Sequence, residues 1–174
     1  MQVLADAKQV DALIGQLTDQ VARWIEQGGD WAIVGIKRRG DVLARRLAQR
    51  LNVERVGALD ITLYRDDLSE LGADAVVRAT EVPFDLEGLN VVLVDDVLMT
   101  GRSIRAALAS LMDLGRPCRV WLAVLVDRGG RELPIAPDIA GMDLTDQALK
   151  QVRVMLTPMD EYDAVEADFA ESDA

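Results

Sequence analysis

VVLVDDVLMTGRS, residues 91–103, is the stretch on which the fold turns. Its apolar run reads as a strand covered on both faces, as in a parallel sheet between helices. Asp95 and Asp96 stand at the strand's carboxyl end, a Thr100-Gly101 turn follows, and a helix begins. Gly101 lets the backbone approach an anion with no Cβ in the way. The amides of Thr100, Gly101, Arg102 and Ser103 fall at the helix N-terminus, where free N–H groups and the helix dipole favour phosphate. Thr100 and Ser103 add hydroxyl donors, and the two carboxylates are placed to accept hydrogen bonds from sugar hydroxyls. Acceptors beside a phosphate cradle point to a ribose 5-phosphate. The plain alternative is a buried strand, a charged loop and a capped helix. A receiver-type acidic pair fits less well, because these acids lead straight into Thr-Gly. Neither a Walker A loop nor a Rossmann G-x-G-x-x-G occurs.

Outward from this stretch, strand and helix patterns alternate. Val10, Leu13, Ile14, Leu17, Val21, Trp24 and Ile25 follow helical spacing up to Gly28-Gly29. WAIVGIK (31–37) reads as a buried strand ending in the basic turn Lys37-Arg38-Arg39-Gly40. Leu43, Leu47 and Leu51 mark a helix, and a second strand region runs from about Val53 to Arg65. Residues 66–82 lack a period and read as a long mobile loop with room for a hairpin arm. Ile104, Ala107, Leu108 and Leu111 form an inward helix stripe that stops at Gly115 and Pro117. CRVWLAVLVD (118–127) is another buried strand, and QVRVML (151–156) reads as the last. This alternation predicts an α/β fold, a doubly wound parallel sheet with ligands at the carboxyl ends of its strands.

Composition removes several chemistries. The chain has 174 residues, no histidine and one cysteine, so serine–histidine nucleophile pairs, histidine metal sites and cysteine zinc clusters are excluded. Cys118 reads as a buried core thiol. Aromatic residues make up 4%, too few for a base-stacking platform. No apolar run approaches membrane-spanning length, so a cytoplasmic protein with no membrane partner is expected. Seven acids and no base lie in residues 160–174, leaving residues 1–159 with only −4 of the formal −11. That segment reads as an acidic, disordered tail.

Residues 91–103 closely resemble the phosphoribosyl-pyrophosphate signature of type I phosphoribosyltransferases. VGIKRRGDVLARRLA, LDITLYRDDL, VPFD, DLGRP and LAVLVDRGGRELPI extend the likeness. With them the chain resembles the bifunctional pyrimidine operon attenuation protein/uracil phosphoribosyltransferase family over roughly residues 5–157. The resemblance implies one phosphoribosyltransferase domain (1–159) with a lid at about 66–82 and a small hood at about 127–150. It implies an enzyme that makes UMP and pyrophosphate from uracil and phosphoribosyl pyrophosphate. Mg²⁺ would ride mainly on the diphosphate, with no dedicated protein cage. Carried over, Asp95 and Asp96 would hold the ribose hydroxyls, and Val97, Leu98, Met99, Thr100, Gly101, Arg102 and Ser103 would wrap the 5-phosphate. Lys37, Arg38, Arg39 and Gly40 would form the pyrophosphate loop, with Arg65 reaching from the lid. Asp127, Arg128, Arg131 and Val154 would stand at the nucleobase. A homodimer or homotetramer is implied as well.

Family members that regulate transcription bind a pyrimidine-leader RNA hairpin through a basic face, and this chain departs there. The first helix offers VDALIGQLTDQ in place of the usual Thr-Arg and nearby His, Ala136-Pro137 follows ELPI, and GMDLTDQALK replaces a Lys-rich stretch. Met99 stands for a usual tyrosine and Gly130 for a usual histidine. Arg45, Arg46 and Arg50 remain as a basic helix stripe, whose commoner role is a solvated face. These departures favour the enzyme over a UMP- or UTP-sensing RNA attenuator. A phosphoribosyltransferase for another base is the third reading.

Overall fold

The computed structural model describes residues 1–62 and 80–171, which hold nine strands and three helices. Strand β1 (Gln2–Ala5) leads into α1 (Ala7–Ile25). Asp6 and Gln9 start that helix reciprocally, each side chain accepting the other's backbone N–H at 2.9 Å. Then come β2 (Trp31–Ile36), α2 (Gly40–Leu51), β3 (Val56–Leu59), β4 (Thr80–Glu81) and β5 (Asn90–Leu98). Helix α3 (Arg102–Leu114), β6 (Arg119–Asp127), β7 (Ile139–Asp143), β8 (Leu149–Met155) and β9 (Ala164–Phe169) complete the order.

The main sheet runs β4-β3-β2-β5-β6-β7, parallel except for β4. Side chains of β5 alternate between two cores. Val92 and Val94 pack with Leu17 of α1 and Leu43 of α2, while Val91 and Leu93 pack with Ile104 and Leu111 of α3. Helices therefore cover both faces, as the unbroken apolar run requires. From β2 the chain goes one way to β3 and later returns to the other side as β5. The strand order thus reverses between β2 and β5, and crevices open at the carboxyl ends of strands that flank such a switch.

Several expectations are corrected. The segment read as a disordered tail contains β9, which lies between β1 and β8 in a second, antiparallel sheet. Ala164, Val165 and Ala167 are buried there, because small apolar residues interleave with the acids that dominate the charge count. Strand β8 belongs to this second sheet and is not the chain's last. Among the described residues the strand region after Val53 is β3 alone, and Cys118 is exposed, just ahead of β6. Arg65 and residues 66–79 of the expected lid lie outside the described residues. Among the described residues no helix is long and apolar enough to cross a membrane.

Candidate active site

Between the ends of β2 and β5 lies a cavity of about 280 Å³, lined among others by Lys37, Arg38, Thr62, Asp95, Asp96 and Ser103. Asp95 is 6% exposed at the end of β5, and its carboxylate accepts the Asp96 N–H at 2.9 Å. The Asp96 carboxylate accepts the Val97 N–H at 2.8 Å. Burial pushes the Asp96 carboxyl above its ordinary range, opposed by hydrogen bonds with Asp95 and the Val97 amide and by the charge of Arg39. The pair is a strong acceptor set for hydroxyl groups, held on a rigid strand.

Helix α3 starts at Gly101, in the left-handed region at φ 91°, with no side-chain cap. The Thr100 hydroxyl instead accepts the Arg102 N–H at 3.1 Å. A helix of thirteen residues thus points its N-terminus at the crevice beside the acidic pair.

The basic turn closes the opposite wall. Its Lys37–Arg38 peptide is cis, and Arg39 has φ 75°. Gly40 lies so close to β5 that a Cβ there would stand 2.7 Å from the Val94 carbonyl oxygen and 3.1 Å from the Asp95 Cα. The three cations are committed differently. Lys37 pairs with Glu81 of β4 at 2.6 Å. Arg39 donates from Nε and Nη2 to the two carboxylate oxygens of Asp160, each at 2.9 Å. Arg38 lines the cavity and makes no ion pair among the described residues.

Across the site, the loop after β6 is tied to the phosphate turn. Arg131 donates to Asp127 at 2.7 Å, to the Ile135 carbonyl at 2.7 Å and to the Met99 carbonyl at 3.0 Å. The Thr100 carbonyl accepts the N–H groups of Glu132 and Leu133 at 2.9 and 3.1 Å. Movement of one segment therefore moves the other.

With this geometry the comparisons agree. The phosphoribosyl transferase domain family matches residues 3–156. A Bifunctional protein PyrR of Roseiflexus sp. is 48% identical over 162 residues, covering 90% of this chain and 88% of the relative. Its counterpart from Pelotomaculum thermopropionicum is 54% identical over 137 residues, 76% of each chain. This chain belongs to the PyrR family of phosphoribosyl transferase domain proteins. Among solved structures, the hypoxanthine phosphoribosyltransferase of Trypanosoma cruzi superposes with a TM-score of 0.68 at 14% identity, covering 96% of this chain and 95% of that one. The purine phosphoribosyltransferase of Pyrococcus horikoshii gives 0.60 at 22%, covering 81% and 86%. At those identities the likeness is one of fold.

Within this PyrR-family site, Lys37, Arg38, Asp95, Asp96, Val97 and Ser103 come together around one cavity. Other expected contacts are placed elsewhere. Leu98 is 2% exposed in the α3-side core, and Val154 is 2% exposed in the core beneath α1, so neither side chain is free to touch a ligand. Asp127 and Arg131 spend their polar atoms on each other and on backbone, and Arg128 donates to the Leu149 carbonyl at 2.6 Å. These contacts hold the loop after β6 in place. Met99 is 44% exposed and lies against Gly130. Two groups near the crevice lie in the quoted LDITLYRDDL stretch but were not among the expected site residues. Thr62 lines the cavity, and Asp60 is held below the ordinary carboxylate range by hydrogen bonds from Thr62 and by the charges of Lys37 and Arg38. Their sequence signal is that family stretch together with a position just past the short strand β3.

Proposed function

We propose that the chain transfers the phosphoribosyl group of phosphoribosyl pyrophosphate to uracil, giving UMP and pyrophosphate. The observation that carries this reading is the strand-order reversal that sets Asp95 and Asp96 against the basic turn and the α3 N-terminus around one crevice. The α3 amides and the Thr100 and Ser103 hydroxyls hold the 5-phosphate, and the acidic pair accepts the ribose hydroxyls. The turn of residues 37–40 receives the diphosphate, with Arg38 its cation that makes no ion pair among the described residues.

Uracil N1 forms a bond to the anomeric carbon as the bond to the diphosphate oxygen breaks, and the N1 proton passes to solvent. The sugar carries oxocarbenium-like charge in between, so positioning and electrostatic stabilisation supply most of the acceleration. Among the described residues no cluster of three acidic or thiol groups forms a cage for a metal ion. Asp95 and Asp96, as hard oxygen donors at the crevice, would suit Mg²⁺ carried in with the substrate, and the ion would supply charge neutralisation of the diphosphate. The lid at about 66–82, with Arg65 toward the diphosphate, and the hood at about 127–150 belong to the same reading. Uracil is then read by hood backbone, since Asp127 and Arg131 are occupied. A cytoplasmic homodimer or homotetramer completes it, and sedimentation velocity measures that state.

The direct test mixes protein, uracil, phosphoribosyl pyrophosphate and Mg²⁺ and follows UMP and pyrophosphate. Competition with cytosine, hypoxanthine and guanine fixes the base. Binding of UMP without turnover would overturn the enzyme in favour of a nucleotide sensor.

A further inference from the structure

Arg39 is the first residue to ask about, because its backbone lies at φ 75°, ψ −40°, where an L side chain is strained. Such a residue persists when its surroundings hold it there. The holder is a carboxylate 121 positions away in sequence. Asp160 meets the Arg39 guanidinium with both oxygens, in the two-pronged geometry that fixes orientation as well as distance. Asp160 is itself fixed, since one oxygen also accepts the Leu156 N–H at 2.7 Å and its own N–H reaches the Leu156 carbonyl at 2.9 Å. Gly40, next along the turn, is pressed against Asp95. A continuous line of fixed contacts therefore runs from the end of β8 through Asp160, Arg39 and Gly40 to the acidic pair.

We propose that Asp160 is a positioning residue for the pyrophosphate-binding turn, acting through Arg39. The inference rests on the phosphoribosyl-transfer reading. Asp160 neutralises Arg39, so the turn offers a diphosphate Arg38 and a set of backbone groups locked in one conformation. Without the anchor, the turn relaxes toward ordinary backbone angles, and ligands that carry a diphosphate lose affinity. UMP carries none and does not. The fold supplies its own control seven residues along α2. Arg46 donates to Asp163 at 2.6 and 3.0 Å, in the same C-terminal segment but away from the turn.

The test is isothermal titration of Mg²⁺-pyrophosphate and of UMP, with steady-state kinetics, on the full chain and its variants. Asp160→Asn is expected to weaken pyrophosphate at least tenfold and to raise KM for phosphoribosyl pyrophosphate in step, with UMP affinity within twofold of wild type. Asp163→Asn is expected to lower Tm and leave pyrophosphate affinity unchanged. Arg39→Gln with Asp160→Asn is expected to be no worse than Arg39→Gln alone, because the two act as one unit. Arg39→Lys, which keeps the charge and loses the fork, tests the same point if Asp160→Asn does not fold, and an intermediate loss is expected. Equal losses for UMP and pyrophosphate, the same change from Asp163→Asn, or additive effects of the two substitutions would each overturn the proposal. A wild-type chain that binds pyrophosphate yet forms no UMP would sink the uracil reading alone, with the binding arm still deciding this one. No pyrophosphate binding at all would sink both.

Discussion

Asp95 and Asp96 show how one pair of adjacent residues is pulled in two directions. Burial disfavours two negative charges in one crevice, while backbone amides and the nearby Arg39 favour them. The balance leaves Asp96 titrating above an ordinary carboxylate, so a ribose hydroxyl that donates to it also stabilises its charged form. Replacing both residues by Asn is expected to cut UMP formation by about 10²–10³ or more while Tm stays near wild type, since Asn keeps the shape and loses the acceptor charge. Gly40 makes a separate point about space. A methyl group there meets the Val94 carbonyl at 2.7 Å, and backbone cannot swing aside as a side chain can. Gly40→Ala is expected to cost about 1–3 kcal/mol in a urea melt and to abolish turnover by displacing Asp95.

The elements differ in how far the sequence announces them. Strand β5, helix α3 and the stripe of α1 are readable because their apolar periods match the faces they bury, and Val10, Ile14, Leu17, Val21 and Trp24 are buried as the spacing requires. The acidic pair, the phosphate turn and the basic turn are readable for a related reason, since each sits where a buried strand stops. Strand β9 was hidden because AVEADF carries two acids in six residues and because a strand's neighbours are not written in its own segment. The pairing of Arg39 with Asp160 is equally invisible, being a product of tertiary fold alone. The partners of Arg131 are likewise illegible locally, because nothing in its own segment shows that the Met99 and Ile135 carbonyls and the Asp127 carboxylate meet its guanidinium.

Asp160 and Asp163 are held below the ordinary carboxylate range, chiefly by hydrogen bonds from Arg39 and Arg46. A depressed carboxyl contributes stability above its unfolded value of about 4 and loses it as pH falls through the lower folded value. Melts between pH 6 and pH 2 should therefore show Tm steady down to about pH 4 and falling below, with a shallower fall in the Asp160→Asn, Asp163→Asn double variant. A chain ending at residue 159 loses the centre of its second sheet and uncovers Val154 and Leu156. It is expected to melt at least about 10 °C lower or to be insoluble, as circular dichroism and sedimentation will show.

Across the described residues, the arginines of α2 are spent on internal ion pairs. On α2, Arg45 pairs with Asp41, Arg46 with Asp163 and Arg50 with Asp11, so the basic stripe is neutralised where it lies. The formal charge of −11 opposes the approach of a long polyanion, and α2 adds no free basic stripe to offset it. A gel shift with a pyrimidine-leader hairpin is expected to show no retention at 150 mM salt with micromolar protein, and only weak, salt-sensitive retention near 20 mM. Tight binding at 150 mM would mean that another face carries the RNA contact. The Asp160–Arg39 link also bears on the order in which the protein matures. During synthesis the parallel strands and their helices leave the ribosome well before residue 160 does, and segments fold as they emerge. The crevice walls can therefore assemble while the basic turn still lacks its anchor, so the turn takes its final form only once residue 160 has emerged and folded back onto it.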